Sequence, residues 1–133
     1  MAKDPKIPTA IMNVMLDVIG TDADNGTIVI YDGDKPASGD DDLSGQTALC
    51  IFTLPADAFL ATASKILTAN PVDAALCIVG GYPSWFRMYK TGGQPIIDGT
   101  AGVGTDFDCQ LLNDVMVLGQ LQQIVRCSFT GTD

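Results

Sequence analysis

The chain has 133 residues, of which sixteen are acidic and seven are Lys or Arg, so its formal net charge is −9. This length predicts one domain that buries roughly two thirds of the surface of its unfolded chain. The negative charge argues against a surface that binds the phosphates of nucleic acid. The absence of His excludes the catalytic arrangements that require it.

The acidic residues are all Asp, and the sequence contains no Glu. Asp favours turns and helix caps, whereas Glu favours helix interiors, so the composition favours a mainly β fold. The longest apolar runs, such as residues 48–54, are much shorter than the roughly 20 residues that span a bilayer. The first residues also lack the apolar segment of a signal peptide. We therefore expect synthesis in the cytoplasm and no membrane partner.

The N-terminal part of the chain predicts an arm followed by a helix. Residues 1–8 contain two prolines and predict an extended arm, and residues 9–133 predict a single β-rich domain. Thr9 is a candidate helix cap, and a helix is predicted over residues 9–19 with Gly20 as its stop. Asn13 and Asp17 mark its polar face. The apolar stripe docks either on the protein's own sheet or on a partner; its members are Ile11, Met12, Met15, Leu16 and Ile19.

The first strand is predicted over residues 27–31, between an Asn-Gly and an Asp-Gly turn signal. Residues 32–46 then predict a long polar surface loop that contains Asp40, Asp41 and Asp42. Residues 48–54 predict a second strand. Because this strand is apolar on both faces, it is expected to be central in the fold or covered by another element.

The middle of the chain alternates weak and strong patterns. A short helical turn is predicted over residues 56–61 and a strand over residues 65–69, while residues 73–79 suit either a helix or a strand. Residues 84–90 predict a clear strand. Its alternation places Trp85, Arg87 and Tyr89 on one face and Phe86 and Met88 on the other.

The last third of the chain continues as strands. Residues 91–93 predict a hairpin turn and residues 94–99 its returning strand. The glycine-rich residues 99–104 predict a flexible turn, since they lack a dinucleotide or phosphate-loop motif. Two further strands are predicted over residues 105–112 and residues 121–130, the latter with Val125, Cys127 and Phe129 inward. About seven to eight strands in all indicate an antiparallel β-sandwich or jelly roll.

Metal and thiol chemistry find little support in the sequence. The cysteines lie far apart, with no C-x-x-C pair and no His, which excludes zinc sites of the usual spacing; they are Cys50, Cys77, Cys109 and Cys127. We expect them to be reduced core residues. Residues 22–26 begin like a calcium loop but have the wrong spacing. The run of Asp40 to Asp42 suits a solvated loop better than a cation site, so no cofactor or metal is expected.

Three segments in a fixed order resemble small structural proteins of tailed bacteriophages. They are Gly-Thr-Ile-Val-Ile-Tyr-Asp-Gly at residues 26–33, Ser-Gly-Gln-Thr-Ala-Leu with the strand and turn that follow at residues 44–59, and Trp-Phe-Arg-Met-Tyr through Asp-Gly-Thr-Ala-Gly at residues 85–102. The resemblance implies a non-enzymatic virion component. It is consistent with a capsid decoration or cement protein that binds the outside of the major capsid protein lattice as a homo-oligomer, a dimer or trimer.

The expected partner contacts lie at the N-terminal end of the chain, at Ile7, Ile11, Met12 and Met15. Two other functions remain open at this point. One is a tail or fibre-base module, which has the same resemblance but another location. The other is a carbohydrate-binding β-sandwich, in which aromatic rings would contact the sugar, although rings in a sandwich commonly form core; the candidates are Tyr31, Tyr82, Trp85 and Tyr89.

Overall fold

A computed structural model of the chain describes residues 6–131. In this part of the chain one helix, α1 (Thr9–Asp22), precedes nine strands. The strands are β1 (Thr27–Tyr31), β2 (Ala48–Thr53), β3 (Ile66–Thr68), β4 (Ala75–Leu76), β5 (Trp85–Tyr89), β6 (Pro95–Gly102), β7 (Cys109–Leu111), β8 (Leu121–Gln122) and β9 (Ile124–Thr130). The expected mainly β, sandwich-like fold with an N-terminal helix is confirmed.

Seven strands form one curled mixed sheet in the order β2-β1-β5-β6-β7-β9-β3, and β4 and β8 form a separate two-stranded sheet. The pairs are antiparallel except β6 and β7, which run parallel. Residues 103–108 loop back, so that Cys109 lies beside Ala101. The sequence did not indicate this parallel pair, because its connection is far shorter than the dozen or more residues usual for parallel strands.

The core lies on both faces of the central strands. Ile28, Ile30, Phe86 and Met88 point into the large cluster that α1 closes. On the opposite face a smaller cluster is formed by Val29, Tyr31 and Trp85. The alternation predicted for residues 84–90 is therefore confirmed, because successive side chains of a strand point to opposite faces.

Strand β2 lies at one end of the seven-stranded sheet and pairs there with β1. The other edge of β2 is covered by a neighbouring segment. This agrees with one of the two alternatives predicted for it, a strand covered by another element. The amide of Ile78 donates to the carbonyl of Leu49 at 2.8 Å, and Cys50 bridges Cys77. Residues 73–79 accordingly contain the short strand β4 and no helix.

The helix differs from its prediction at both ends. Thr9 is its first residue and not its cap, and Pro8 at the cap position offers no side-chain hydrogen bond. Gly20 does not stop the helix, which continues to Asp22. A Cβ at Gly20 would lie 3.2 Å from Cβ of Phe59, so this glycine permits close packing against the body of the protein.

Two predicted local structures are wrong. Residues 56–61 form no helical turn; they bend, and Phe59 bridges Ala69. Residues 99–102 are not a flexible turn, because β6 continues through them. A Cβ at Gly99 would lie 2.5 Å from Cε1 of Phe86, so glycine is needed there to make room for a buried ring.

The two C-terminal strand predictions are correct only in part. Of the strand predicted over residues 105–112, only the three residues of β7 are a strand in the structure. Residues 121–130 divide into β8 and β9, and Val125 is exposed while Ile124 is buried. The β7–β9 register shifts between Gln110 and Leu111, which leaves Val125 as an extra residue in β9. Such a bulge turns the following side chains to the other face.

Of the predicted arm over residues 1–8, residues 1–5 lie outside the described residues, as do the last two residues of the predicted domain. Lys6, Ile7 and Pro8 precede α1 without regular structure. Among the described residues no helix is long and apolar enough to cross a membrane.

Candidate interaction surfaces

The exposed side of α1 is apolar. Ile11, Val14, Met15 and Val18 are between 49% and 61% exposed, and their spacing of three and four residues places them on one stripe. We call these four residues the outer helix face. The buried side of the same helix consists of Met12, Leu16 and Gly20.

Asn13 and Asp17, the predicted polar face of α1, turn toward the protein, and the predicted apolar stripe is divided between the core and the exposed side. Oδ1 of Asn13 accepts a hydrogen bond from the amide of Lys65 at 2.9 Å, and Oδ1 of Asp17 accepts one from the amide of Thr62 at 2.7 Å. These amides belong to a tight turn in which Ser64 has a φ of 52°. Because the turn's amides need acceptors, the side of α1 that bears Asn13 and Asp17 packs against the turn, and the outer helix face is left exposed.

The four expected partner contacts therefore separate. Ile11 and Met15 lie on the outer helix face, as expected of contact residues. Met12 is only 5% exposed and packs in the chain's own core. The prediction of Met12 as a partner contact is therefore wrong. Ile7 is half-buried against the same core. Val14, a neighbour of Ile11 at i+3, was missed, although the same helical spacing could have identified it.

The second feature is the acidic loop, residues 32–46, which is held to the sheet by Arg87. Nε of Arg87 donates to Oδ1 of Asp98 at 2.7 Å, and Nη2 donates to Oδ2 at 2.9 Å. Nη1 donates to the carbonyl of Asp41 at 2.9 Å. The hydrogen bonds with Asp98 raise the pKa of Arg87 further. This bidentate pair is buried, with both side chains at most 5% exposed.

The base of the acidic loop covers the small aromatic cluster. Nε1 of Trp85 donates to the carbonyl of Asp32 at 3.0 Å, and the carboxylate of Asp32 accepts from the amide of Thr47 at 2.6 Å. The carboxylates of residues 40–42 belong to exposed residues. Within residues 6–131 no three His, Cys, Asp or Glu side chains are grouped as a metal site would require.

The aromatic residues do not form an exposed row. Tyr31 stacks on Trp85 with ring centroids 4.6 Å apart, and both rings are buried beneath the acidic loop. The hydroxyls of Tyr31 and Tyr89 hydrogen-bond at 2.7 Å. Tyr82 alone of the four candidates is well exposed. Their interpretation as core is confirmed for Tyr31 and Trp85, which leaves no platform of rings for a sugar on this face.

The four cysteines are free thiols, as expected, and all are buried. Their pairing across strands was missed: Cys50 lies opposite Cys77, and Cys109 lies opposite Cys127. Burial and the neighbouring Cys77 raise the pKa of Cys50 to about 12. Hydrogen bonding with Cys109 and burial raise the pKa of Cys127. Since the thiolate is the reactive form, the raised pKa values of Cys50 and Cys127 favour their unreactive, protonated form at neutral pH.

A groove between α1 and residues 57–61 is lined in part by three aspartates, Asp17, Asp24 and Asp57. Two of them already accept backbone hydrogen bonds, Asp17 from Thr62 and Asp24 from Ala58 at 2.9 Å. These two carboxylates therefore fix the loop against the helix.

Comparisons of the chain with protein-family models, curated proteins and solved structures each found no match.

Proposed function

We propose that this chain is a non-enzymatic structural protein of a tailed-bacteriophage virion. In this proposal it is a capsid decoration or cement protein that binds the outside of the major coat lattice and associates with itself as a dimer or trimer. The observation that carries the proposal is the outer helix face, Ile11, Val14, Met15 and Val18, which is apolar and exposed. A protein that binds a lattice of coat subunits needs such a surface.

The resemblance to phage structural proteins supports the proposal through segments that are neighbours in the fold. Residues 26–33 contain β1, residues 44–59 contain β2, and residues 85–102 contain β5 and β6. These four strands are consecutive in the sheet, in the order β2-β1-β5-β6. The three sequence segments thus describe one continuous structural unit.

The energetics of the outer helix face favour a buried state. Transfer of apolar surface from water is worth about 25 cal/mol per Å², or roughly 1.5–3 kcal/mol for each large aliphatic side chain that becomes fully buried. Four such side chains, half exposed already, would contribute several kcal/mol before the loss of rotational freedom on binding is subtracted.

The proposal is tested on particles made from the genome that encodes the chain. An antibody against the chain is expected to label the heads of intact particles by immunogold electron microscopy. Labelling confined to tails would overturn the decoration assignment in favour of a tail or fibre-base module. No labelling of any particle would overturn the virion assignment altogether.

The role of the outer helix face is tested by rebinding. Heads that lack the protein are mixed with wild-type chain or with Val14→Asp, and bound protein is measured by co-sedimentation. Val14→Asp is expected to lower binding at least tenfold, because it brings a charge into an apolar contact. The matched control is Val103→Asp, at an exposed valine outside α1. Equal binding by both variants would remove the helix from the contact.

A further inference from the structure

Three stretches of more than ten residues in this acidic chain carry no charge, namely residues 43–56, 74–86 and 115–125. The last two contribute to one surface. Residues 74–86 and residues 115–125 include no Asp, Glu, Lys or Arg, although 17% of the chain's residues are charged. Each segment is closed by charges at its ends, Asp73 and Arg87 for the first and Asp114 and Arg126 for the second. The two uncharged segments are far apart in the sequence.

The fold brings these two segments together along their length. Leu76 of β4 lies directly opposite Leu121 of β8. The amide of Gly119 donates to the carbonyl of Cys77 at 2.9 Å. Gly81 and Met116 exchange two hydrogen bonds, at 2.7 and 3.0 Å. Side chains that point outward from both segments therefore share one surface.

That surface is apolar and open to solvent. Six aliphatic side chains on it are between 39% and 69% exposed; they are Leu76, Ile78, Val79, Val117, Leu118 and Leu121. We call these six residues the charge-free surface. Their exposed area is on the order of 600 Å², at the upper end of the largest apolar patch on a monomer. A standard interface buries about 800 Å² on each partner, of which roughly 65% is apolar in homodimers.

The polar groups beneath the charge-free surface are already satisfied. Gln122 is 1% exposed, and its Nε2 donates to the carbonyl of Asn113 at 2.8 Å. Its Oε1 accepts from the amides of Asn113 and Gln123, each at 3.0 Å. Within residues 6–131 the only buried side-chain N or O atom without a hydrogen-bond partner is Oγ1 of Thr62, which lies outside this surface. The surface therefore suits a dry apolar contact.

The charge of the chain points to the occupant. Two copies, each with a net charge of −9, repel one another, and juxtaposed like charges at an interface cost several kcal/mol. The six side chains of the charge-free surface themselves bring no carboxylate into such a contact, and the aspartates at the segment ends, Asp73 and Asp114, lie outside these six. A basic partner would instead be drawn to the acidic loop. We propose that a second copy of this chain docks on the charge-free surface, which deepens the proposed function by resting on the self-association stated there.

The test measures self-association of the full chain by sedimentation velocity over a range of concentrations. Wild-type protein is expected to sediment as a dimer or larger oligomer. Val117→Asp and Leu121→Asp are each expected to weaken association at least tenfold. The matched control is Val103→Asp, at an exposed valine outside α1 and outside both uncharged segments, which adds the same charge and is expected to associate within about twofold of wild type. Circular dichroism checks that each variant is folded.

Salt provides a second and independent readout. Raising NaCl from about 0.05 to about 0.5 M shortens the Debye length from above 10 Å to below 5 Å and screens the repulsion between the two acidic copies. Wild-type association through an uncharged contact is therefore expected to strengthen severalfold. An interface built on ion pairs would weaken.

Three outcomes would overturn the proposal: a monomeric wild-type chain at all concentrations, an effect of Val117→Asp and Leu121→Asp no larger than that of Val103→Asp, or association that weakens with salt. None of them affects head labelling by the antibody. Conversely, an unlabelled particle would overturn the virion assignment and leave self-association standing. The two failures are thus distinguishable.

Discussion

The acidic loop and the charge-free surface cover different parts of one fold with opposite chemistry. Residues 32–46 carry five Asp and one Lys and lie over Tyr31 and Trp85. The charge-free surface carries no charge and lies beside Leu49 and Cys50 of β2. The acidic loop suits contact with water, and the charge-free surface suits contact with protein. The uneven distribution of charge, more than its total, therefore separates candidate surfaces on this chain.

The acidic loop and the segments of the charge-free surface are also held to the rest of the protein by different interactions. A buried guanidinium holds the acidic loop, through Asp98 and the carbonyl of Asp41. Backbone hydrogen bonds and small residues such as Gly81 hold the charge-free segments. The loop should therefore depend on a few side chains, whereas the charge-free segments should depend on close packing.

The largest expected effect comes from removing the anchor of the acidic loop. Arg87→Met leaves the carboxylate of Asp98 buried without its partner, and breaking a buried ion pair in this way lowers the free energy of unfolding by about 3–5 kcal/mol. Urea denaturation measures it. Arg87→Met combined with Asp98→Leu should recover part of the loss, because it removes the stranded charge. A double variant no more stable than the single one would contradict this account of the anchor.

A smaller effect, different in the two regions, is expected from adding one methyl group. A Cβ at Gly81 would lie 3.0 Å from Cδ2 of the fully buried Leu49, whereas a Cβ at Gly39 in the acidic loop meets nothing within 4 Å. Gly81→Ala should lower the free energy of unfolding by about 1 kcal/mol through overpacking. Gly39→Ala should be neutral or stabilising by up to about 1 kcal/mol. Thermal melts of both variants measure these changes. Equal shifts of the melting temperature would contradict the claim that Gly81 is tightly packed and Gly39 is not.

The smallest effect concerns the tyrosine beneath the acidic loop. Tyr31→Phe loses the hydrogen bond to the hydroxyl of Tyr89 and should lower the free energy of unfolding by about 1 kcal/mol at pH 7. Tyr82→Phe, at the exposed tyrosine of the uncharged segment 74–86, is the matched control and should change nothing.

The same variant predicts a pH dependence. Burial raises the pKa of Tyr31 above its ordinary value, so the folded state favours the neutral phenol. The resulting stability is present below the unfolded pKa of about 10 and is lost as pH rises above it. Wild type should therefore lose stability above pH 10 more steeply than Tyr31→Phe in urea titrations. A residual loss belongs to Cys50 and Cys127, whose pKa values are also raised in the folded protein. Parallel curves for the two proteins would contradict the assignment to Tyr31.

The strands with strong local patterns could be read from the sequence. Residues 27–31 and 84–90 alternate or concentrate β-branched and aromatic residues between turn signals, and both predicted strands are found as β1 and β5. The glycines at 92 and 93 have positive φ angles and form the predicted hairpin turn. These features depend on neighbours in sequence, which is why the sequence alone is sufficient for them.

The orientation of α1 could not be read in the same way. Its sequence has apolar residues on two sides, and the pattern favoured Ile11 and Met15 together with Met12 as one stripe. The structure selects Met12 and Leu16 for the core because the turn near Thr62 supplies amides that Asn13 and Asp17 satisfy. That turn is more than 40 residues away in the sequence.

The candidate surfaces show the same division. The sequence indicated the acidic loop and two of the four residues of the outer helix face. The charge-free surface could not be predicted from the sequence, because residues 74–86 and 115–125 become one surface only when β4 pairs with β8.

By itself the sequence determined the β-rich class, the strong strands and their alternation, since these follow from the spacing of side chains along the backbone. Only the tertiary structure decided which apolar side chains are buried and which remain outside. Met12 is covered while Met15 is exposed, and Ile124 is covered while Val125 is exposed. The physical reason is that burial depends on which distant segment packs against each face, and a one-residue bulge or a single satisfied amide is enough to change that.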